Sequence, residues 1–127
     1  MKRKNFSSGA PLEEKIGYSR MVTVGNHVLI GGTTAVKEDG TVAGASPFEQ
    51  ARYIFQKFSN LLKKAEADLS DVVKVKAYVT DMAYVMEVAN AYSELFKEIR
   101  PVFTVVETPK LNRPTQLVEI ELEAIKC

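Results

Sequence analysis

Hydrophobic and polar residues alternate with different periods along the chain, and each change of period marks an element. Arg20-Met21-Val22-Thr23-Val24 and His27-Val28-Leu29-Ile30 are short β-prone runs on either side of Gly25-Asn26. A glycine first in a two-residue loop supplies the positive φ of a type II′ turn, so the runs read as a β-hairpin. A further turn is expected at Asp39-Gly40, leading into a short strand at Thr41-Val42-Ala43. Ser46-Pro47-Phe48-Glu49 then reads as a helix start, with a serine cap, proline at the first helical position and glutamate three residues after the cap. Behind it Phe48, Ala51, Phe55, Phe58, Leu62 and Ala65 recur at steps of three and four, one apolar stripe of a helix ending near Ala67. Lys57, Lys63 and Lys64 lie off that stripe and are expected to face water.

The period then drops to two. Val73, Val75, Ala77 and Val79 alternate with Lys74, Lys76, Tyr78 and Thr80, which predicts a strand with one buried face. Asp81 can cap a second helix whose stripe is Val85, Val88, Tyr92 and Leu95 with Phe96. Pro101 ends that interval and a strand runs through Val106. The last strand sets Val118, Ile120, Leu122 and Ala124 against Glu119, Glu121 and Glu123. The order β-β-(β)-α-β-α-β-β predicts one α+β domain over residues 1–127, with residues 1–12 a loose N-terminal segment. Two helices with one stripe each cover one face of a mixed sheet. The other face is expected to carry Tyr78, Phe103 and Val105, and a partly apolar uncovered face calls for another subunit.

Composition changes this picture little. A chain of 127 residues is enough for one domain, and 46% hydrophobic with 26% charged residues is the balance of a globular protein. Net charge is +1, so no global field draws in nucleic acid or an anionic membrane. Met1-Lys2-Arg3-Lys4 is basic, but no apolar core of signal-peptide length follows, and no run approaches the roughly 20 apolar residues of a spanning helix. The single cysteine, Cys127, excludes an internal disulfide; together these features place the expected location in the cytoplasm. The lone His27 has no nearby metal-ligating partner, so no metal site is expected.

Several segments, taken in order, resemble the RidA/YjgF family of reactive imine and enamine deaminases. They are Ile16-Gly17-Tyr18-Ser19-Arg20-Met21-Val22 before Val24-Gly25-Asn26, Ile30-Gly31-Gly32-Thr33, Ala51-Arg52, Leu69-Ser70-Asp71-Val72-Val73, Tyr78-Val79-Thr80-Asp81, Arg100-Pro101-Val102-Phe103-Thr104-Val105-Val106-Glu107 and Ile120-Glu121-Leu122-Glu123-Ala124-Ile125. The resemblance spans about Gly17 to Ile125. It implies a chorismate-mutase-like mixed sheet with two helices on one face, and a homotrimer with small-molecule clefts between subunits. The implied chemistry is hydrolysis of a 2-imino acid or its enamine to a keto compound and ammonia, without metal or cofactor.

Carried over residue by residue, the resemblance puts Tyr18 at the cleft tyrosine and Glu123 at the glutamate that orients the attacking water. Gly31 stands for a small polar serine, Thr33 follows in the same segment, Asn90 lies one position after the expected asparagine, and Val105 takes a cysteine position. Phe103 replaces the arginine that pairs with the substrate carboxylate. A guanidinium supplies charge and fixed geometry to a carboxylate, and a phenyl ring supplies neither. Activity on ordinary amino-acid-derived imines is therefore expected to be weak, with Arg20 as a replacement anchor. Read from the residues alone, Glu123 is one of three outward glutamates pairing with Lys74 and Lys76, Tyr18 is a strand aromatic, Arg20 is a solvated surface residue and Phe103 is apolar packing. The alternative function is a non-catalytic trimer that binds a metabolite or a protein.

Overall fold

The computed structural model describes residues 1–127. Six strands, β1 (Arg3–Phe6), β2 (Met21–Val24), β3 (His27–Thr33), β4 (Val72–Val79), β5 (Val102–Glu107) and β6 (Val118–Ile125), form one sheet in the order β1-β2-β3-β6-β4-β5. Only β4 and β5 run parallel; every other pair is antiparallel. The parallel pair is joined by a helical crossover, as parallel pairing requires. Helices α1 (Pro11–Ile16), α2 (Pro47–Lys64) and α3 (Val85–Phe96) complete the chain.

The long helix starts where the capping pattern puts it. Ser46 Oγ accepts from the Glu49 N–H at 3.1 Å and donates to Glu49 Oε1 at 3.0 Å, with Pro47 at the first helical position. The stripe residues Ala51, Phe55, Phe58 and Leu62 are buried together with Ile54, and they lie over Val75, Ala77, Ile120 and Leu122 of the central strands. Aromatic rings continue this core sideways. Phe58 meets Phe55 edge-on at 6.2 Å, Phe55 meets Phe96 at 5.6 Å, Tyr92 stacks on Phe96 at 5.0 Å, and Phe103 stacks on Tyr92 at 4.0 Å with rings 5° apart.

This aromatic chain corrects one expectation. Phe103 stands opposite Val75 and Val105 opposite Ala77, both of them buried, so Phe103 and Val105 face the helices and not the uncovered side. Successive residues of a strand alternate faces, and the register of β5 against β4 puts Val102, Thr104 and Val106 on the open face with Tyr78. Leu29, Val102 and Ile125 are exposed apolar side chains of that open face.

Four further differences concern local elements. Residues 1–12 are not loose: β1 pairs with β2 from Arg3↔Val24 to Phe6↔Met21, and Pro11 opens α1. The expected strand at Thr41–Ala43 is a single bridge, Val36↔Val42. Asp81 caps a short 3-10 turn, Met82–Tyr84, through the Ala83 N–H at 2.8 Å, and α3 begins only after it. Lys57 is half-buried instead of solvated, because its Nζ turns back to donate to the Thr34 carbonyl at 3.0 Å. The hairpin turn behaves as expected, with Gly25 at φ +58° and Asn26 on the negative side.

Phe55 sits at the junction of the aliphatic stripe and the aromatic chain. Phe55→Ala is expected to cost about 3–5 kcal/mol through lost burial and the cavity left behind. A denaturant midpoint lowered at unchanged slope would confirm it, and an unfolding free energy within ~0.5 kcal/mol of wild type would refute that central placement.

Candidate functional site

The chemistry-bearing residues gather at one end of β3, where the strand departs from regular pairing. Between Ile30 and Thr33 the register against β6 shifts, and Gly31-Gly32 occupies the irregularity. A β-carbon at Gly32 would come within 2.6 Å of Glu119 Oε2, so any larger residue there would push the Glu119 carboxylate aside. Glycine at this position lets a β6 carboxylate lie directly against the β3 backbone.

Arg20 is the hub of this corner. Its Nη1 donates to the Gly32 carbonyl at 2.6 Å and to Thr33 Oγ1 at 3.1 Å, and its Nε lies 3.9 Å from Glu13 Oε2. Thr33, itself buried, donates to the Gly31 carbonyl at 2.8 Å. Arg20 is 19% exposed and Glu13 4%. The Glu13 carboxylate accepts from Ser7 Oγ at 2.9 Å, the Ser8 N–H at 3.1 Å and Ser8 Oγ. Burial acts to raise the Glu13 pKa, but the hydrogen bonds from Ser8 and Ser7 and the charge of Arg20 outweigh it and hold the group below its ordinary value. Glu119 goes the other way: burial raises its pKa, nearby Arg20 opposes this, and Glu121 adds to it. Lys57 is lowered by burial and by the proximity of Arg20.

The remaining expected site residues do not all join this corner. Tyr18 is 40% exposed just after α1, and its N–H donates to the Glu13 carbonyl at 2.9 Å, which sets it beside Arg20 in sequence and space. Glu123 stands across from Leu29 on one side and Lys74 on the other, two residue pairs further along β6 than Glu119. With Lys74, Lys76 and Glu121 it lines a small hollow of about 60 Å³ on the open sheet face. Its carboxylate has no hydrogen bond or ion pair within the chain, whereas Glu121 accepts from Tyr78 Oη at 2.5 Å. That bond, with burial behind it, pushes the Tyr78 pKa up to about 12. Asn90 is exposed on α3. Phe103 and Val105 lie on β5, at the far edge of the sheet; from β2 to β5 is four strand steps, roughly 19 Å at about 4.8 Å each. A single copy therefore cannot bring Arg20 and Tyr18 to the same small ligand as Phe103. A larger groove of about 330 Å³ lies between α2 and α3, rimmed by the Arg52–Glu94 ion pair at 3.3 Å, and holds none of these residues.

Sequence reasoning missed Glu13, Lys57 and Glu119. Glu13 lies just past the segment expected to be loose, in a stretch with no clear period, Lys57 differs from its solvated neighbours only in three dimensions, and Glu119 shares one alternation with Glu121 and Glu123. No group of three or more His, Cys, Asp or Glu side chains converges to hold a metal ion.

A six-stranded mixed sheet covered on one side by two long helices, with this glycine-rich corner on β3, defines a fold shared with known proteins. The Endoribonuclease L-PSP family matches residues 9–126, and the chain belongs to that family, the RidA/YjgF group. A member of the YjgF/YER057c/UK114 family from Mycobacterium tuberculosis superposes with a TM-score of 0.89 at 37% identity, over 98% of this chain and 100% of that one. A RutC family protein of Pyrococcus abyssi is 34% identical across 94% of this chain and 92% of its own length. The mitochondrial protein MMF1 of Saccharomyces cerevisiae is 26% identical over 97% of this chain and 87% of its own. No helix here is long and apolar enough to cross a membrane.

The Glu13 arrangement carries a pH signature. A carboxyl whose folded pKa is lowered stabilises the fold above its unfolded value, here ordinarily 4.5, and that contribution is lost as pH falls through the folded pKa. Unfolding free energy measured from pH 7 to pH 3 is expected to fall less steeply in Glu13→Gln than in wild type. Parallel curves would show that Glu13 does not carry this linkage.

Proposed function

We propose that this chain forms a homotrimer with small-molecule clefts between subunits, descended from imine and enamine hydrolases, whose ligand is not clamped through β5. One observation carries the reading. Phe103, which the family resemblance sets where the substrate-binding arginine is expected, lies with its ring flat on Tyr92 at 4.0 Å as the last member of a core aromatic chain. No cation stands on β5, whose sequence is Val102-Phe103-Thr104-Val105-Val106-Glu107. The need for a second copy is supported by the exposed Leu29, Val102 and Ile125 on the open face and by the separation of β2 from β5.

The reaction asks little of the protein beyond placement. Water adds through oxygen to the C=N carbon, the nitrogen gains a proton, and collapse of the tetrahedral adduct forms C=O as ammonia leaves. Glu123, free of partners in its own chain, is suited to accept the proton from water, and Tyr18 to line the cleft. Gly31, Thr33, Asn90 and Val105 complete the proposed lining, and Arg20 supplies the positive charge. No metal or cofactor enters this scheme. Turnover of ordinary 2-imino acids is slow in this reading, because the acid end lacks its usual anchor.

A second reading, a non-catalytic binding trimer, is favoured by the same Tyr92–Phe103 stack if it fills the cleft end completely. A nucleic-acid role, which the family's endoribonuclease description suggests, has little support from a net charge of +1 and a single histidine.

The deciding experiment is keto-acid release from freshly generated 2-aminoacrylate or 2-iminobutanoate. Wild type is expected to be slow, Phe103→Arg faster by at least about tenfold as the charged contact returns, and Glu123→Gln inert in either background. The same substitution at Glu119 and Glu121 reads which β6 carboxylate serves the water. If neither wild type nor Phe103→Arg accelerates hydrolysis over buffer, the enzyme reading is lost to the binding trimer.

A further inference from the structure

The end of β3 holds two cations on three consecutive residues. Arg20 is fixed by the Gly32 carbonyl and Thr33 Oγ1, and Lys57 reaches from α2 to the Thr34 carbonyl. Both protons of Arg20 Nη1 are thereby used, while Nη2 has no protein partner and, not being a buried unsatisfied atom, opens to solvent. Lys57 Nζ makes one hydrogen bond and keeps two donors free. Two carboxylates lie near: Glu13, engaged by Ser7 and Ser8, stands 3.9 Å from the guanidinium, beyond hydrogen-bond reach, and Glu119, half-buried against the Gly32 backbone, feels the charge of Arg20 but makes no hydrogen bond to it. Two like charges held together, each with unused donors and neither closed by a carboxylate at hydrogen-bond distance, form a site that an oxyanion completes.

We infer that Arg20 and Lys57 together bind the carboxylate of a small organic acid, moving the acid-binding end of the cleft from β5 to the β3 corner. The inference rests on the cleft reading above but concerns binding alone. Arg20 is the point of fixed geometry, since its Nη1 is tied to the Gly32 carbonyl and the Thr33 hydroxyl; Lys57 is a flexible second contact that rests against Tyr53, its Nζ 5.7 Å from the ring centre. Thr33 and Glu13 act as positioning residues, holding the guanidinium on its outer edge.

The test is titration of the full chain with sodium pyruvate, an unreactive product-like carboxylate, followed by calorimetry or amide chemical shifts, with inorganic phosphate as the comparison. Wild type is expected to bind pyruvate at millimolar concentration, with the largest shifts at residues 31–34 and 57. Lys57→Met and Arg20→Met are each expected to weaken binding about tenfold or more, and Lys57→Arg to restore it within about threefold. Because Arg20→Met removes the partner of buried Glu13, Lys57→Met with an unchanged melting temperature is the decisive variant. Absence of pyruvate binding, equal binding in Lys57→Met, or preference for phosphate over pyruvate each overturns the inference. Pyruvate binding that depends on both cations, without any imine hydrolysis, sinks the enzyme reading alone and leaves the carboxylate site standing.

Discussion

The packing of α2 and α3 against only one face of a six-stranded sheet is the constraint on which the rest of this structure depends. Ile54, Phe55, Phe58 and Leu62 cover β4 and β6, the two central strands, so the core sits there and the other sheet face is left to the alternating partners Lys74, Lys76, Tyr78, Glu119, Glu121 and Glu123. Because strand side chains alternate strictly, no residue of β6 can serve both the core and the open face. The helices thus decide which carboxylates are available for chemistry. They also decide that Phe103 is not available, since its register against Val75 turns it inward onto Tyr92.

The β3 corner follows from the same geometry. A strand that kept regular pairing through Gly31 and Gly32 would present its backbone groups to β6. The shift frees the Gly32 carbonyl for Arg20 and admits Glu119 against the glycine backbone. Charge then organises around Arg20. Glu13 is held ionised by serines and by Arg20, Glu119 is pushed toward its neutral form by burial, and Lys57 has its ammonium disfavoured by burial and by Arg20. Arg20 acts to lower the pKa of all three, and burial, with Glu121 adding to it, carries Glu119 the other way; ionisable groups perturbed together at one corner mark a functional site more often than a solvated surface does.

Much of the fold was legible in the chain because its helices and strands follow clean periods. The steps from Phe48 to Ala65, the capping pattern at Ser46 and the alternation from Val118 to Ala124 each have one physical reading, and each element forms where that reading puts it. β1 was not legible, because Arg3-Lys4-Asn5-Phe6 carries no alternation of apolar residues; it is an edge strand whose pairing comes from backbone contact with β2. The face of Phe103 was misjudged for a related reason. Val102 to Val106 is nearly all apolar, so period two is invisible there and only the register against β4 assigns the sides. The site was less legible still. Arg20, Tyr18, Gly31 and Thr33 do come together, but Glu13 and Lys57 approach them from α1 and α2, and nothing in one-dimensional spacing records that approach.

The two ends of the sheet are linked in the proposed reading. An aromatic side chain at 103 extends the aromatic series from Phe58 through Phe55, Phe96 and Tyr92 to the β5 edge, gaining packing where a charge would need a partner or solvent. A protein that fills this position with a ring cannot also hold an anion there, so any acidic ligand must be met by cations elsewhere. On the open face, Lys74 and Lys76 stand directly across from Glu123 and Glu121, which offset their charge for an incoming anion. Arg20 has Glu13 at 3.9 Å and Glu119 nearby, yet neither it nor Lys57 has a carboxylate at hydrogen-bond distance, and the two are held through the Gly32 and Thr34 carbonyls and the Thr33 hydroxyl. In the proposed reading the charge pattern points an acid toward β3, and a phenylalanine at 103 in place of the expected arginine moves the anion site without requiring that the scaffold stop binding one.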